Sequence, residues 1–423
     1  MNVQDTQEQL GGWKRKARQN IALYTEEIDE TTDRNTERLL TLFREHNVGA
    51  FHFTPSTGYG YDDLGREKLD SLYAGVFGTE TAFVRSQFIS GTHAITAALF
   101  GVLRPGDELL YATGMPYDTL RTVIGIEGEA EGTLQEWGIT YKESPYEVGE
   151  ELSADRILSH VTEATKVIAI QRSRGYAERE SVPMEKMNQV IAAIKQKVPD
   201  VIVFVDNCYG EFTETSEPGH AGADLMAGSL IKNPGGGIVK TGGYIAGRKD
   251  LIEKAASRFA APGIGMEGGP TLYSLQEMFQ GLFLAPHVVG EALKGSLYTA
   301  ALLEESGLQT TPSYTEKRTD LIQSVTFASK EQMVTFCQAI QEASPVDARV
   351  IPQPAYMPGY TSDVIMAAGT FIQGASIELS ADGPIRPPYT AYVQGGLTFS
   401  HVKIAVEHAV TRLLEKELLA SLL

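Results

Sequence analysis

From about residue 72 to residue 260 the chain alternates short apolar runs with stretches of helical periodicity, and few folds accept that pattern. Glu108 to Ala112, Val167 to Ile170, Ile202 to Val205 and Tyr244 to Ala246 read as strands, and Met184 to Lys197 reads as one of the helices. Strands joined through helical crossovers return the chain in the same direction, so the pattern predicts a mostly parallel sheet. The expected fold class is α/β. Ahead of this region, residues 1 to about 47 read as helical, with a second segment around Thr36 to Phe43, and Gly49 to Gly65 supplies a glycine- and tyrosine-rich loop. Behind it, the glycine-rich stretch Ala261 to Pro270 breaks the pattern before a long amphipathic segment through Leu303. A strand at Ser324 to Phe327, a helix at Glu331 to Ala343 and a final helix near Val402 to Leu419 indicate a smaller α+β domain. The expected division is 1–71 as a helical arm and loop, 72–300 as a large α/β domain and 301–423 as a small C-terminal domain. With 423 residues, 42% of them hydrophobic, the chain can bury the core this requires.

Lys232, within Gly228-Ser229-Leu230-Ile231-Lys232-Asn233-Pro234-Gly235-Gly236-Gly237, lies 26 residues after Asp206, which ends the apolar run Val201-Ile202-Val203-Phe204-Val205. A lysine can form a Schiff base with an aldehyde cofactor, and a buried carboxylate can hold a pyridine nitrogen protonated so that the ring withdraws electrons. Taken singly, Lys232 could be a solvated loop lysine and Asp206 an N-cap, so the case depends on other parts of the same site. Val84 to Leu99 reads as an extended segment, a small-residue turn and an apolar helix capped by Ser90 or Thr92. A helix start offers free backbone N–H groups and the positive end of its dipole, and Gly91 lets the backbone approach an anion, which makes a phosphate cradle. Tyr117, in Gly114-Met115-Pro116-Tyr117-Asp118-Thr119, follows the strand-like Glu108 to Ala112. That is the carboxyl edge of a parallel sheet, where an aromatic can lie flat on a pyridine ring or simply cover the core. His93 competes for the stacking role. Together these parts spell pyridoxal phosphate chemistry.

The order of Tyr61, Ser90-Gly91-Thr92, Tyr117, Asp206 and Ser229-x-x-Lys232 resembles the fold-type I pyridoxal phosphate enzymes, particularly the cystathionine and methionine lyase group. The stretches Gly58-Tyr59-Gly60-Tyr61-Asp62-Asp63, Gln171-Arg172-Ser173-Arg174-Gly175-Tyr176, Asp206-Asn207-Cys208-Tyr209-Gly210-Glu211-Phe212 and Ser229 to Gly237 are similar to the methionine gamma-lyase-like proteins labelled aluminium resistance proteins. The resemblance implies Lys232 as the Schiff-base lysine and Asp206 as the partner of the pyridine nitrogen. It implies Ser90, Gly91, Thr92 and Ser229 at the phosphate, with Tyr117 or His93 at the ring and Tyr61 as a further catalytic hydroxyl. The implied function is a carbon-sulfur lyase acting on sulfur amino acids and giving keto acid, ammonia and thiol. Another pyridoxal phosphate reaction, such as transamination or aldol cleavage, and a non-catalytic cofactor-binding protein are the alternatives. Two departures stand out. Better-known members carry Tyr-x-Arg where this chain has Tyr61-Asp62-Asp63, and a hydroxyl residue where it has Ile231. Arg66 or Arg85 is the expected replacement for the missing arginine at the phosphate.

An amino-acid substrate needs a cation for its carboxylate, and the planar fork of arginine suits that task. Arg386, in Asp382-Gly383-Pro384-Ile385-Arg386-Pro387-Pro388-Tyr389, is the first candidate and Arg174 the second. The resemblance also implies a homo-oligomer, dimer or tetramer, with shared active sites. Tyr59, Tyr61 and the 261–270 loop are the segments expected to serve the neighbour. With 36 basic against 54 acidic side chains the formal net charge is −18, which argues against nucleic acid and anionic membranes as partners. Cys208 and Cys337 cannot make a disulfide framework, no leader or long apolar span is evident, and the cytoplasm is the default location. The histidines show no paired ligand spacing, and no metal is expected.

Overall fold

The computed structural model describes residues 3–146, 149–357 and 362–419. Residues 1–2 and 420–423, the outer ends of the first and last expected segments, lie outside the described residues. The chain forms two compact units, Arg34–Ala285 and Met1–Asp33 together with Pro286–Leu423.

Two N-terminal helices, α1 (Val3–Asn20) and α2 (Ala22–Glu45), precede α3 (Leu64–Phe77). Strands and helices then alternate: β1 (Thr81–Arg85), α4 (Gly91–Val102), β2 (Glu108–Tyr111), α5 (Asp118–Ile124), β3 (Thr140–Glu143), α6 (Ala154–Ser159), β4 (Thr165–Gln171), α7 (Met184–Lys197), β5 (Ile202–Asp206), β6 (Leu225–Ser229), β7 (Gly243–Gly247) and α8 (Lys249–Phe259). These strands form one seven-stranded sheet in the order β1-β7-β6-β5-β4-β2-β3. Strands β2 to β6 are parallel, while β7 runs antiparallel to both β6 and β1. The link from β6 to β7 carries only the short 3-10 turn Asn233–Gly235, after which the chain turns back.

One face of this sheet is sealed by α4 and α8, whose Ile95, Leu99, Leu251 and Ile252 pack with Leu109, Phe204, Leu225 and Ile245. Each such fully buried side chain contributes about 1.5–3 kcal/mol, which is what holds the strand ends in fixed register. The helix α9 (Leu275–Glu305) begins in this unit and runs into the other, where β8 (Gln309–Thr311), β9 (Ile322–Thr326), α10 (Lys330–Glu342), β10 (Val364–Ala367), β11 (Ser380–Pro384), β12 (Thr390–Gln394) and α11 (Phe399–Glu415) follow. The five strands of that second unit pair antiparallel in the order β10-β11-β12-β9-β8. Leu10, Trp13 and Ala17 of α1 join Tyr298, Phe336 and Val406 in its core.

Candidate active site

Parallel pairing brings the carboxyl ends of β4, β5 and β6 side by side. Gln171 is the register partner of Asp206, and Asp206 that of Ala227, two residues before Ser229. The segments leaving β5 and β6 carry Cys208, Tyr209 and Lys232.

Asp206 is 3% exposed, and its Oδ1 accepts the Cys208 N–H at 3.1 Å. Burial pushes its proton affinity up, and the Lys232 charge, Cys208 and Arg179 oppose that shift without cancelling it. Lys232 is half-buried, with Nζ 4.1 Å from the centroid of the Tyr209 ring. Desolvation works against its ammonium, but Cys208, Tyr209, Asp206 and Tyr117 jointly hold its pKa above the ordinary lysine value. Burial drives the Cys208 thiol far up, so it stays protonated and is no nucleophile at neutral pH.

Ser229 Oγ is fully buried and has no hydrogen-bond partner among the described residues. Facing it is the start of α4, where a Cβ on Gly91 would stand 3.1 Å from Ser229 Cβ and 3.4 Å from Cys208 Sγ. Ser90 caps this helix, its Oγ accepting the His93 N–H at 3.0 Å. The amides of Gly91 and Thr92, first in the helix, have no intrahelical partner and remain for a ligand. Thr92 Oγ1 lies 3.3 Å from the Tyr117 hydroxyl. Tyr117 in turn is the residue from which α5 starts, and its N–H donates to Gln171 Oε1 at 3.3 Å. Burial, then the charge of Asp206, raises the proton affinity of its phenol. Lys232, Asp206, Tyr117, Thr92, Gly91, Ser90 and Ser229 therefore meet at one sheet edge.

The remaining expected residues have settings of their own. The His93 ring stacks on Phe259 at 5.5 Å and meets Phe88 edge-on at 5.3 Å, and its Nδ1 accepts the Ile89 N–H at 3.3 Å. Tyr61 is 53% exposed and stacks on Tyr59, and no hydrogen bond or ring contact among the described residues joins it to Lys232 or Tyr117. Arg174 is buried and turns its guanidinium to the carbonyls of Ala177 and Glu178, at 3.2 and 3.5 Å. Arg386 is exposed between β11 and β12 in the other unit.

Within this chain the guanidinium groups of Arg66 and Arg85, the expected replacements for a phosphate-binding arginine, point to the glycine-rich loop. Arg66, 1% exposed, donates to the carbonyls of Gly60, Glu267 and Gly269. Arg85, 2% exposed, pairs with Asp70 at 2.9 Å and donates to Met266 O at 3.0 Å. Both are committed to clamping the glycine-rich loop. Asp63 belongs to the same clamp: it caps α3 through the Arg66 N–H at 2.9 Å and accepts from Thr271 Oγ1 at 2.6 Å and from Ser56. Two neighbours of the site, Tyr209 and Gln171, go unsignalled by residue pattern. Gln171 is legible only once β4 is known to end there, and Tyr209 only once the backbone after Asp206 is known.

Residues 11–414 match the methionine gamma-lyase family. YnbB of Bacillus subtilis is 58% identical over 401 residues, covering 95% of each chain. A Listeria monocytogenes structure, described as a candidate cystathionine beta-lyase involved in aluminum resistance, is 56% identical, with a TM-score of 0.93 over 95% of this chain and 99% of that one. A carbon-sulfur lyase involved in aluminum resistance from Clostridium novyi is 46% identical, with a TM-score of 0.91 over 96% of both chains. Structures retaining only 16–17% identity share the fold, at TM-scores of 0.56 and 0.60. With the match spanning nearly its whole length, this chain is an enzyme that belongs to the methionine gamma-lyase family.

Proposed function

We propose that this enzyme is a pyridoxal phosphate-dependent carbon-sulfur lyase that removes sulfur from amino acids and releases keto acid, ammonia and thiol. The observation that carries the reading is the meeting of Lys232, Asp206 and Tyr117 with an unpartnered Ser229 hydroxyl and a helix start. Each feature fits the cofactor. The buried Ser229 Oγ and the Gly91 and Thr92 amides form a donor set for a phosphate. The raised proton affinity of Asp206 marks a carboxylate without a full cationic partner, which a protonated pyridine nitrogen would supply. Tyr117 offers a ring, and Lys232 an amine, on the same edge.

When bound, the cofactor withdraws electrons from the substrate's α-carbon. Lys232 Nζ would hold the cofactor and, once free, would take the α-proton, with the acidic groups around it favouring the ammonium. Asp206 keeps the ring nitrogen protonated, and Tyr117, hydrogen-bonded to Thr92 and Gln171, keeps its plane. Beta-elimination needs only this α-proton transfer before the leaving group departs. Gamma-elimination needs a second proton removed from the β-carbon and a relay to move it. In this chain the Tyr117 hydroxyl lies in the field of Lys232, while Tyr61-Asp62-Asp63 stands where better-known members carry Tyr-x-Arg. Beta-elimination from cysteine or cystathionine-like thioethers is therefore the preferred reaction, with methionine a weaker substrate.

The test is to incubate the loaded enzyme with cysteine, cystathionine, methionine and alanine and to measure keto acid, thiol and ammonia separately. Pyruvate and thiol from the first two are expected. Keto acid and methanethiol from methionine at a higher kcat/KM would overturn the preference for beta chemistry. Keto acid without thiol or ammonia would point to transamination.

A further inference from the structure

The loop that follows Asp206 has an uncommon backbone. Tyr209 has φ +70° and Phe212 φ +63°, the left-handed region that bulky L-residues rarely occupy. Residues held there against preference concentrate where function over-determines the backbone, so what the Tyr209 ring touches is informative. Its face meets Lys232, with Nζ 4.1 Å from the ring centroid, well inside the roughly 6 Å range of a cation–π contact.

The loop is held in place from beneath. Arg172, 0% exposed, donates to Asn207 Oδ1 at 2.9 Å, and a Cβ on Gly210, which directly follows Tyr209, would stand 2.5 Å from the Arg172 side chain. Glu214 and Glu217 complete the shell around that guanidinium, at 3.1 and 3.3 Å. On the far side, Asn233, which follows Lys232, donates to the Glu211 carbonyl at 2.9 Å. Ring and lysine thus project from two backbones that are tied to each other. A tyrosine fixed this way is a platform for the lysine head.

We propose that Tyr209 is a positioning residue that receives the Lys232 ammonium on its ring face whenever the lysine is free of the cofactor. The proposal rests on the reading of Lys232 as the cofactor-anchoring base. A ring face attracts an ammonium and gives little to a neutral amine, so it favours the form Lys232 takes after accepting the α-proton. The other groups that face Lys232 are Asp206 from the end of β5, Cys208 and Glu211 from the same loop, and Tyr117 from the start of α5. Unlike these, the ring contributes through its π-face and needs no titration of its own hydroxyl.

The experiment measures the proton affinity of Lys232 in the full-length cofactor-free chain, by competitive acetic anhydride labelling across a pH series with mass spectrometry of the Lys232 peptide. Tyr209→Leu is expected to lower the labelling midpoint by roughly 0.4 to 1.5 pH units, the fold-change of a lost ring-face contact. Tyr209→Phe keeps the ring and is expected to keep the midpoint. Tyr209→Asn, which tolerates the left-handed backbone, is expected to follow the leucine variant and guards against a folding failure. Wild-type midpoints in the leucine and asparagine variants, with native circular dichroism, would overturn the proposal. A visible cofactor band that survives in Lys232→Ala would overturn it through the reading on which it rests.

Discussion

The Ser229 hydroxyl is buried at the end of β6 and has no hydrogen-bond partner among the described residues, which suits it to the phosphate proposed above. A buried polar atom normally has a partner, and leaving one unsatisfied costs about 1–3 kcal/mol. Ser229→Ala is therefore expected to leave the cofactor-free protein as stable as before, or more so, while weakening cofactor binding about tenfold, the loss of roughly one hydrogen bond to a charged group. Urea unfolding and equilibrium dialysis with pyridoxal phosphate check the two halves. Glu211 is a second residue set apart by burial. Its Oε1 accepts from Tyr244 at 2.8 Å, its Oε2 has no described partner, and desolvation pushes its pKa up to about 8. Between the ordinary glutamate value and about 8 the folded chain holds a proton that the unfolded chain has released. Stability contributed here therefore falls as pH rises through that window. Glu211→Gln is expected to flatten this slope in melts between pH 5 and 8, and an unchanged slope would assign the pH dependence elsewhere. Lys232, Asp206, Tyr117, Thr92 and Ser229 were legible in the sequence because each sits in a short local motif at a strand or helix end. Tyr209 was not, because nothing in residue type announces a left-handed backbone at a tyrosine.

Between these residues and the fold stand the elements that carry them, and here the clamp on the glycine-rich loop matters most. Asp63 starts α3 and ties Ser56 and Thr271 to it. Burial works against its carboxylate, but the Ser56, Thr271 and Arg66 hydrogen bonds hold its pKa below the usual aspartate value. It therefore contributes stability above that value, and the contribution is lost as pH falls through the acid range. Asp63→Ala is expected to cost about 1–2 kcal/mol in urea unfolding at neutral pH, the size of a lost N-cap, and clearly less near pH 3. An equal cost at both pH values would sink the electrostatic account. From sequence, Asp63 reads as an acid standing in an arginine's slot. The structure gives it a mechanical task, and gives Arg66 the carbonyls of Gly60, Glu267 and Gly269 and Arg85 that of Met266, partners that no local pattern encodes because only folding brings them together. Strand β6, Leu225-Met226-Ala227-Gly228-Ser229, is also faint in sequence. Its small residues have weak strand preference, and Gly228 is required because a Cβ there would stand 2.6 Å from Glu211 Oε1 and from the Tyr244 hydroxyl.

At the scale of the molecule, the α/β class was readable because alternating apolar runs and helical stretches admit few arrangements. The reversal of β7 was not, since an apolar run such as Tyr244-Ile245-Ala246 carries no direction and only the connection before it decides. Among the described residues no helix is long and apolar enough to cross a membrane. Each unit has its own core, and every residue of the proposed cofactor site lies in Arg34–Ala285. The central claim is that Lys232, and not the exposed Lys240 that pairs with Glu277, anchors the cofactor. Borohydride reduction of the loaded enzyme, followed by digestion and mass spectrometry, tests it most directly. The account predicts the reduced cofactor on the peptide containing Lys232, in near one-to-one yield; finding it on Lys240, or on no lysine at all, would contradict the account.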